Sequence, residues 1–349
     1  MADKSKNNYS GIGGQAVMEG IMMRNKDKYS VAVRKADKNI EVFVSNIDDS
    51  KQNSFLRKIP FVRGVFQFAD SLELGSKALT YSAEFYGEEE EEKPSFLDKL
   101  FEKIFGKNAE KVMMGIVFAL SLIIAIGIFI LLPYFVSALL AKYILNESLV
   151  AIIEGVFRLL IFLGYVSAIS IMKDIRRTYM YHGAEHKCIN CIESGKPLNV
   201  KNVMKSSRKH RRCGTSFLLI NVVITIVLFF FIRVDSIALR ILLRLALIPV
   251  IAGISYEILR FAGKYDNWFV RIVSAPGMWL QSLTTREPDE DMAEVAIKAV
   301  EAVFDWKTYL KENFEFENAA GTVDGWLDDD SDEEESTEDI LKTLAEFEK

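Results

Sequence analysis

Cysteine and histidine are both scarce in this sequence, three of each among 349 residues, and proline is limited to seven. So few cysteines exclude a disulfide-stapled scaffold, and so few prolines exclude a proline-rich linker or a collagen-like rod. No apolar run precedes residue 112, so no signal peptide is expected and the thiols are expected to be reduced. Aromatic side chains are nearly missing from the basic stretch that ends at Cys213, which argues against a platform for single-stranded nucleic acid.

What is present is unevenly spread. Half of the residues are apolar, and many of them collect in runs at 112–132, 149–171, 215–232 and 237–259. The first two are long enough to cross a hydrocarbon layer of ~30 Å at ~1.5 Å per residue. The third is slightly short, and the fourth carries Arg240 and Arg244 early. The reading is a mainly α-helical membrane protein whose four spans form two hairpins, 112–171 and 215–259. Between them, 172–214 holds eleven Lys and Arg against three acidic residues. Positively charged connections stay in the cytoplasm, so this loop and both termini are expected on the cytoplasmic side of the membrane. The formal charge is −5, yet residues 324–349 alone contribute −10, from twelve acidic and two basic side chains. The remainder is thus +5, which suits contact with an anionic bilayer face.

Outside the spans, 1–54 alternates as short strands do, at 15–24, 29–35 and 40–47, with turn residues Ala36 to Asn39 between the last two. A small antiparallel β element is expected. Gly11, Gly13 and Gly14 lack the following Lys-Ser or Lys-Thr of a phosphate loop and read as flexible backbone entering a strand. Segment 55–111 holds an amphipathic helix over 61–86 behind a basic start, an acidic linker at 88–92 and a second amphipathic piece at 96–105. Segment 260–317 has Trp268, Phe269 and Trp279 spaced as interface anchors, then a helix opened by Glu287, Pro288 and Asp289 and running to Phe304. Residues 318–349 form an acidic tail unable to fold alone, with Ile340, Leu341, Leu344 and Phe347 as a short docking face for a protein partner.

The chemistry concentrates in the basic loop, where all six histidines and cysteines lie between His182 and Cys213. His182-Gly183-Ala184-Glu185-His186 is an H-x-x-E-H pattern. On a helix it stacks two imidazoles on one face, as a divalent metal such as Zn²⁺ requires, with Glu185 beside them as a general base. The third ligand is open between His210, Cys213 and an oxygen from the C-terminal region. A rival set, Cys188, Cys191, His210 and Cys213, has the pairing of a closed structural zinc site. Lys201, Lys205, Arg208, Lys209, Arg211 and Arg212 could serve topology alone or contact anionic lipid or the ribosome. Within the spans, Glu154 is expected to pair with Arg158, Arg244 or both, since a buried charge in a bilayer is costly unless matched.

Four segments resemble the YqhQ-like family of bacterial inner-membrane proteins, whose members have no assigned function and are described as predicted metal-dependent enzymes. They are Gly14 to Arg24, Tyr181 to Lys187, Arg212 to Phe217, and Pro276 to Pro288. The resemblance covers about residues 11 to 304 and implies a multi-span protein with cytoplasmic motifs. A Thr commonly stands at position 188 of that pattern and a Pro at 211, where this chain has Cys188 and Arg211. A zinc site using Cys188 would therefore be peculiar to this chain. Glu19 and Glu287 fall in the motifs and become candidates for a third ligand or for carboxylates supporting the ligands. The sequence as a whole suggests a metal-assisted hydrolase working close to the membrane. Its alternative is a non-enzymatic adaptor whose basic loop, with or without structural zinc, docks an anionic partner.

Overall fold

The computed structural model describes residues 9–47, 55–86, 103, 104, 106, 109–232, 234, 236–265 and 268–314. The expected amphipathic piece at 96–105, the acidic linker at 88–92 and the acidic tail lie wholly or mostly outside them.

Near the N-terminus four strands form an antiparallel meander in the order β1 (Ile12–Val17), β2 (Gly20–Asn25), β3 (Lys28–Arg34) and β4 (Ile40–Asn46). The alternation in the sequence predicts three. The single strand expected over 15–24 is cut by a two-residue turn at Met18 and Glu19, where Glu19 adopts φ +48°. A left-handed Glu is strained, and its carboxylate is held by Arg177 and by the Tyr181 hydroxyl. Gly20 follows because a Cβ there would collide with the Ala32 carbonyl.

The pleat of β2 and β3 explains how the sheet is covered on both faces. Val17, Met22, Val31 and Val33 pack against Ala78, Leu74 and Tyr81 of helix α1 (Val62–Tyr86). Ile21, Met23 and Ala32 point the other way, into a second core with α5 (Lys173–Glu193), α6 (Val200–Lys205), α11 (Glu290–Glu301) and α12 (Trp306–Asn313). Alternate side chains therefore serve two cores, and near-continuous burial replaces the polar face of a solvent-exposed sheet. The stretch expected as a loop at 172–214 is largely helical.

Among the described residues, four helical segments are long and apolar enough to cross a membrane: Gly115–Leu140, Glu147–Ile169, Gly214–Phe231 and Ile237–Ala262. The first comprises α2 (Ala109–Ile126), a π turn (Gly127–Leu131) and α3 (Leu132–Leu140). The expected end at residue 132 is overrun, because the missing N–H of Pro133 is accommodated rather than terminating the helix. Pro133 cannot donate to the Phe129 carbonyl four residues back, and Arg158 Nε donates to that oxygen instead at 3.1 Å. The other spans are α4 (Glu147–Ile169), capped by Asn146, then α7 (Gly214–Phe231), and α8 (Ile237–Ala246) continuing into α9 (Ile248–Lys264).

Glu154 pairs with both expected arginines, at 2.8 Å to Arg158 and 2.8 Å to Arg244. The residues expected as interface anchors open a further helix, α10 (Trp268–Thr284), which packs on α7 and contains Pro276. Trp268 and Trp279 are both exposed. Helix α1 begins against α9, where Gly64 lies over Gly253 and Tyr256 and Arg63 pairs with Glu257, and it ends on the sheet.

Candidate metal centre

Helix α5 carries the H-x-x-E-H pattern, and its rotation of about 100° per residue brings positions four apart onto one face. The His182 and His186 rings lie with centroids 4.3 Å apart. Gly183, a poor helix former, sits between them because the 285–288 segment crosses the helix there. A Cβ at 183 would strike the Arg286 carbonyl oxygen.

Each imidazole is oriented by a backbone carbonyl. His182 Nδ1 lies 2.8 Å from the Thr284 oxygen and His186 Nδ1 lies 2.7 Å from the Arg208 oxygen. A carbonyl can only accept, so both Nδ1 atoms carry the proton, leaving each Nε2 with a free lone pair. His182 Nε2 faces Cys213 Sγ at 3.2 Å. One ligand atom from each of His182, His186 and Cys213 falls within 4.8 Å of the others. Such a group could hold a metal ion: two imidazoles oriented through their far nitrogens and one sulfur are a donor set that suits a transition metal. Cys213 is the N-cap of α7, with its sulfur accepting from the Thr215 N–H at 3.4 Å. Burial, the largest influence, holds His186 below the ordinary imidazole pKa despite the neighbouring Cys213, keeping it neutral as ligation requires.

Glu185 is buried on the same turn. Burial raises its pKa from 4.5 to about 6, against the opposing influence of His182 and of the Gly14 N–H, whose hydrogen bond it accepts. Its Oε2 has no hydrogen-bond partner among the described residues. Gly14 permits this approach, since a Cβ there would come within 3.1 Å of the Glu185 carboxyl carbon and closer still to the Met22 carbonyl. The three candidate ligands, Glu185 and strand β1 line one cleft of about 550 Å³, which Arg212, stacked on the Tyr9 ring, also lines.

The remaining sequence candidates are placed nearby but not together. His210 faces Glu193 at 3.5 Å, and its ring centroid is 5.7 Å from that of His186, outside the three-ligand group. Burial would raise the Glu193 carboxyl, but its bonds from His210 and Arg212 outweigh this and hold it below the ordinary value. Cys188 and Cys191 point into the apolar core. Burial pushes the Cys188 thiol well up, and the Cys191 sulfur lies 3.3 Å from the Pro197 carbonyl. The four atoms of the closed zinc alternative are thus not gathered among the described residues. The physical reason is helical phase: Cys188 and Cys191 occupy the side of α5 turned toward α11.

Glu19 and Glu287 are not in the ligand group either. Glu19 braces Arg177 and Tyr181 one turn before His182, while Glu287 pairs with the buried Lys187 and with Arg208. Of the basic residues, Arg208 and Arg212 are committed to internal partners, whereas Lys201 and Lys205 are exposed.

A model of a protein family of unknown function, DUF1385, matches residues 59–306 of the chain. The chain belongs to the DUF1385 family. It is also 37% identical over 292 residues to the uncharacterized protein YqhQ of Bacillus subtilis (strain 168), covering 82% of this chain and 90% of that protein. No solved structure matches it. In this DUF1385 member the matched region contains all three candidate ligands and Glu185, while the sheet that supplies Gly14 precedes it.

Sequence reasoning missed the groups of this DUF1385 chain that hold the ligands in place. Gln281, fully buried on α10, accepts from His210 N at 2.8 Å and donates to His210 O at 2.7 Å, clamping the loop that leads to Cys213. Thr284 and Arg208 act through main-chain oxygens, which side-chain identity does not reveal. A signal for Gln281 did exist, in a polar amide and paired threonines at the end of an apolar helix.

Proposed function

We propose that this protein is a metal-dependent hydrolase embedded in the cytoplasmic membrane, with its site just beneath the inner face. The observation that carries the reading is the pairing of a three-ligand group, His182, His186 and Cys213, with a buried carboxylate whose Oε2 has no described partner. A Zn²⁺ bound there would supply Lewis acidity toward a carbonyl or phosphoryl oxygen. Glu185, raised to about 6, is suited to take a proton from the attacking water and return it to the leaving group near neutral pH. Gly14 N–H fixes one carboxylate oxygen and leaves the other facing the cleft.

The basic bias of 172–214 favours placing this region in the cytoplasm, and four spans then return both termini to the same side. The cleft adjoins the first turn of a candidate span, so a substrate borne by the membrane fits its position.

Elemental analysis of the purified chain tests the metal. Wild type and Cys188→Ser are expected to hold about one equivalent of zinc, with His186→Ala and Cys213→Ser falling below about a tenth of that. Glu185→Gln is expected to retain the metal and lose turnover of a lipid extract followed by mass spectrometry. Metal absent from every sample would leave the adaptor reading, with exposed Lys201 and Lys205 as its anionic contact.

A further inference from the structure

The membrane-spanning bundle holds a second polar centre at the other end of α7 from Cys213, roughly 27 Å away for eighteen residues of helix. A cavity of about 390 Å³ there is lined by Ser137, Glu147, Glu154, Arg158, Arg240 and Arg244. Among the described residues its charged groups are two carboxylates and three guanidiniums. Glu154 is saturated: it accepts from Arg158 at 2.8 Å, from Arg244 Nη2 at 2.9 Å and from Ser137 Oγ at 3.0 Å. The arginines are not. Among the described residues, Arg244, 3% exposed, keeps a buried Nε with no hydrogen-bond partner, and Arg240 donates to the Val234 carbonyl. The faces of Tyr134 and Phe229 lie 4.6 and 4.8 Å from the Arg244 guanidinium and offset its charge only in part. An excess of cationic donors within a hydrocarbon layer is costly until an anion meets it.

A second hollow of about 360 Å³ continues from the first along the outside of α4 and α7. Both are bounded by Ala151, Gly155, Ile226 and Phe230, and the second is lined by apolar side chains throughout. Gly155 sets its floor by letting Ile226 approach, since a Cβ would stand 2.6 Å from the Ile226 side chain. Positive charge at one end and an apolar channel at the other match the two halves of an amphiphile.

We propose that this composite site binds an anionic phospholipid, with the phosphate against Arg240 and Arg244 and an acyl chain in the groove between α4 and α7. It is independent of the metal centre. The test uses the full-length chain in a neutral detergent, with retained lipid measured by native mass spectrometry. Phosphatidylglycerol is expected to bind at least about tenfold more tightly than phosphatidylcholine of the same chains. Arg240→Gln leaves the Glu154 pairs in place and is expected to abolish that preference. Val227→Trp, at a half-exposed position in the groove, is expected to weaken phosphatidylglycerol while leaving the charge cluster and thermal stability unchanged. Equal retention of the two lipids by wild type would overturn the proposal, as would both variants binding as wild type does. Inorganic phosphate displacing phosphatidylglycerol at equal concentration would point to a free-anion site and overturn the lipid assignment.

Discussion

Two of the acids that this protein buries, Glu185 and Glu154, are opposite in kind. Beneath the bundle Glu185 is an acid short of donors, with one oxygen satisfied by Gly14 and the other by nothing described. Inside the bundle Glu154 is an acid with donors to spare, and the deficit falls on the arginines around it. A carboxylate left under-coordinated beside three potential ligands is poised for protons and cations. A carboxylate that is over-coordinated stabilises helices and leaves positive charge for something else to meet. The same residue type thus serves reactivity in one setting and cohesion in the other, and the difference is read from the count of donors.

Removing each acid should break this comparison in opposite directions. The largest effect is expected for Glu154→Ala, which strands two buried guanidiniums and should cost about 3–5 kcal/mol, read as a lower unfolding midpoint in detergent. Glu185→Gln should do the reverse in chelator-treated protein. Its carboxyl is raised from 4.5 unfolded to about 6 folded, so the folded state binds more protons between those values and stability falls as pH rises through them. Glutamine removes that penalty, giving a gain of about 2 kcal/mol above pH 6 that vanishes below about 4.5. Equal midpoints at pH 7.5 and 4 would contradict this.

Gly183→Ala sharpens the comparison by testing what holds the reactive acid in place. Its added methyl meets a main-chain oxygen rather than a flexible side chain, so a loss of about 1–3 kcal/mol is expected in thermal melts. The smallest effect is expected for Cys188→Ala, about 1 kcal/mol of lost packing in the core with metal content unchanged.

Much of this is legible from spacing alone. The H-x-x-E-H run is a statement about helical phase, and the apolar runs are statements about length, so both the ligand pair and the four spans follow from the order of residues. The Glu154 cluster is legible too, because charges four apart inside an apolar run have few ways to be satisfied. The rest depends on contacts remote in sequence. The turn at Glu19 lacks local turn chemistry and is held by Arg177 and Tyr181, more than 150 positions away. Helix α10 hides behind Pro276 and its tryptophans. That Cys213 rather than His210 lies with the two imidazoles was open in the sequence: Gln281 holds the His210 backbone, and the His210 ring lies beside Glu193. Cys188 and Cys191 look like ligands by spacing, and only the position of α11 shows them facing the core.

Loading chelator-treated protein with Co²⁺, followed by electronic absorption, addresses the central claim most directly. A tetrahedral site built from His182, His186 and Cys213 predicts visible ligand-field bands together with a near-ultraviolet sulfur-to-cobalt band, the latter lost in Cys213→Ser and kept in Cys191→Ser. A sulfur band that survives Cys213→Ser, or disappears with Cys191→Ser, would contradict the account.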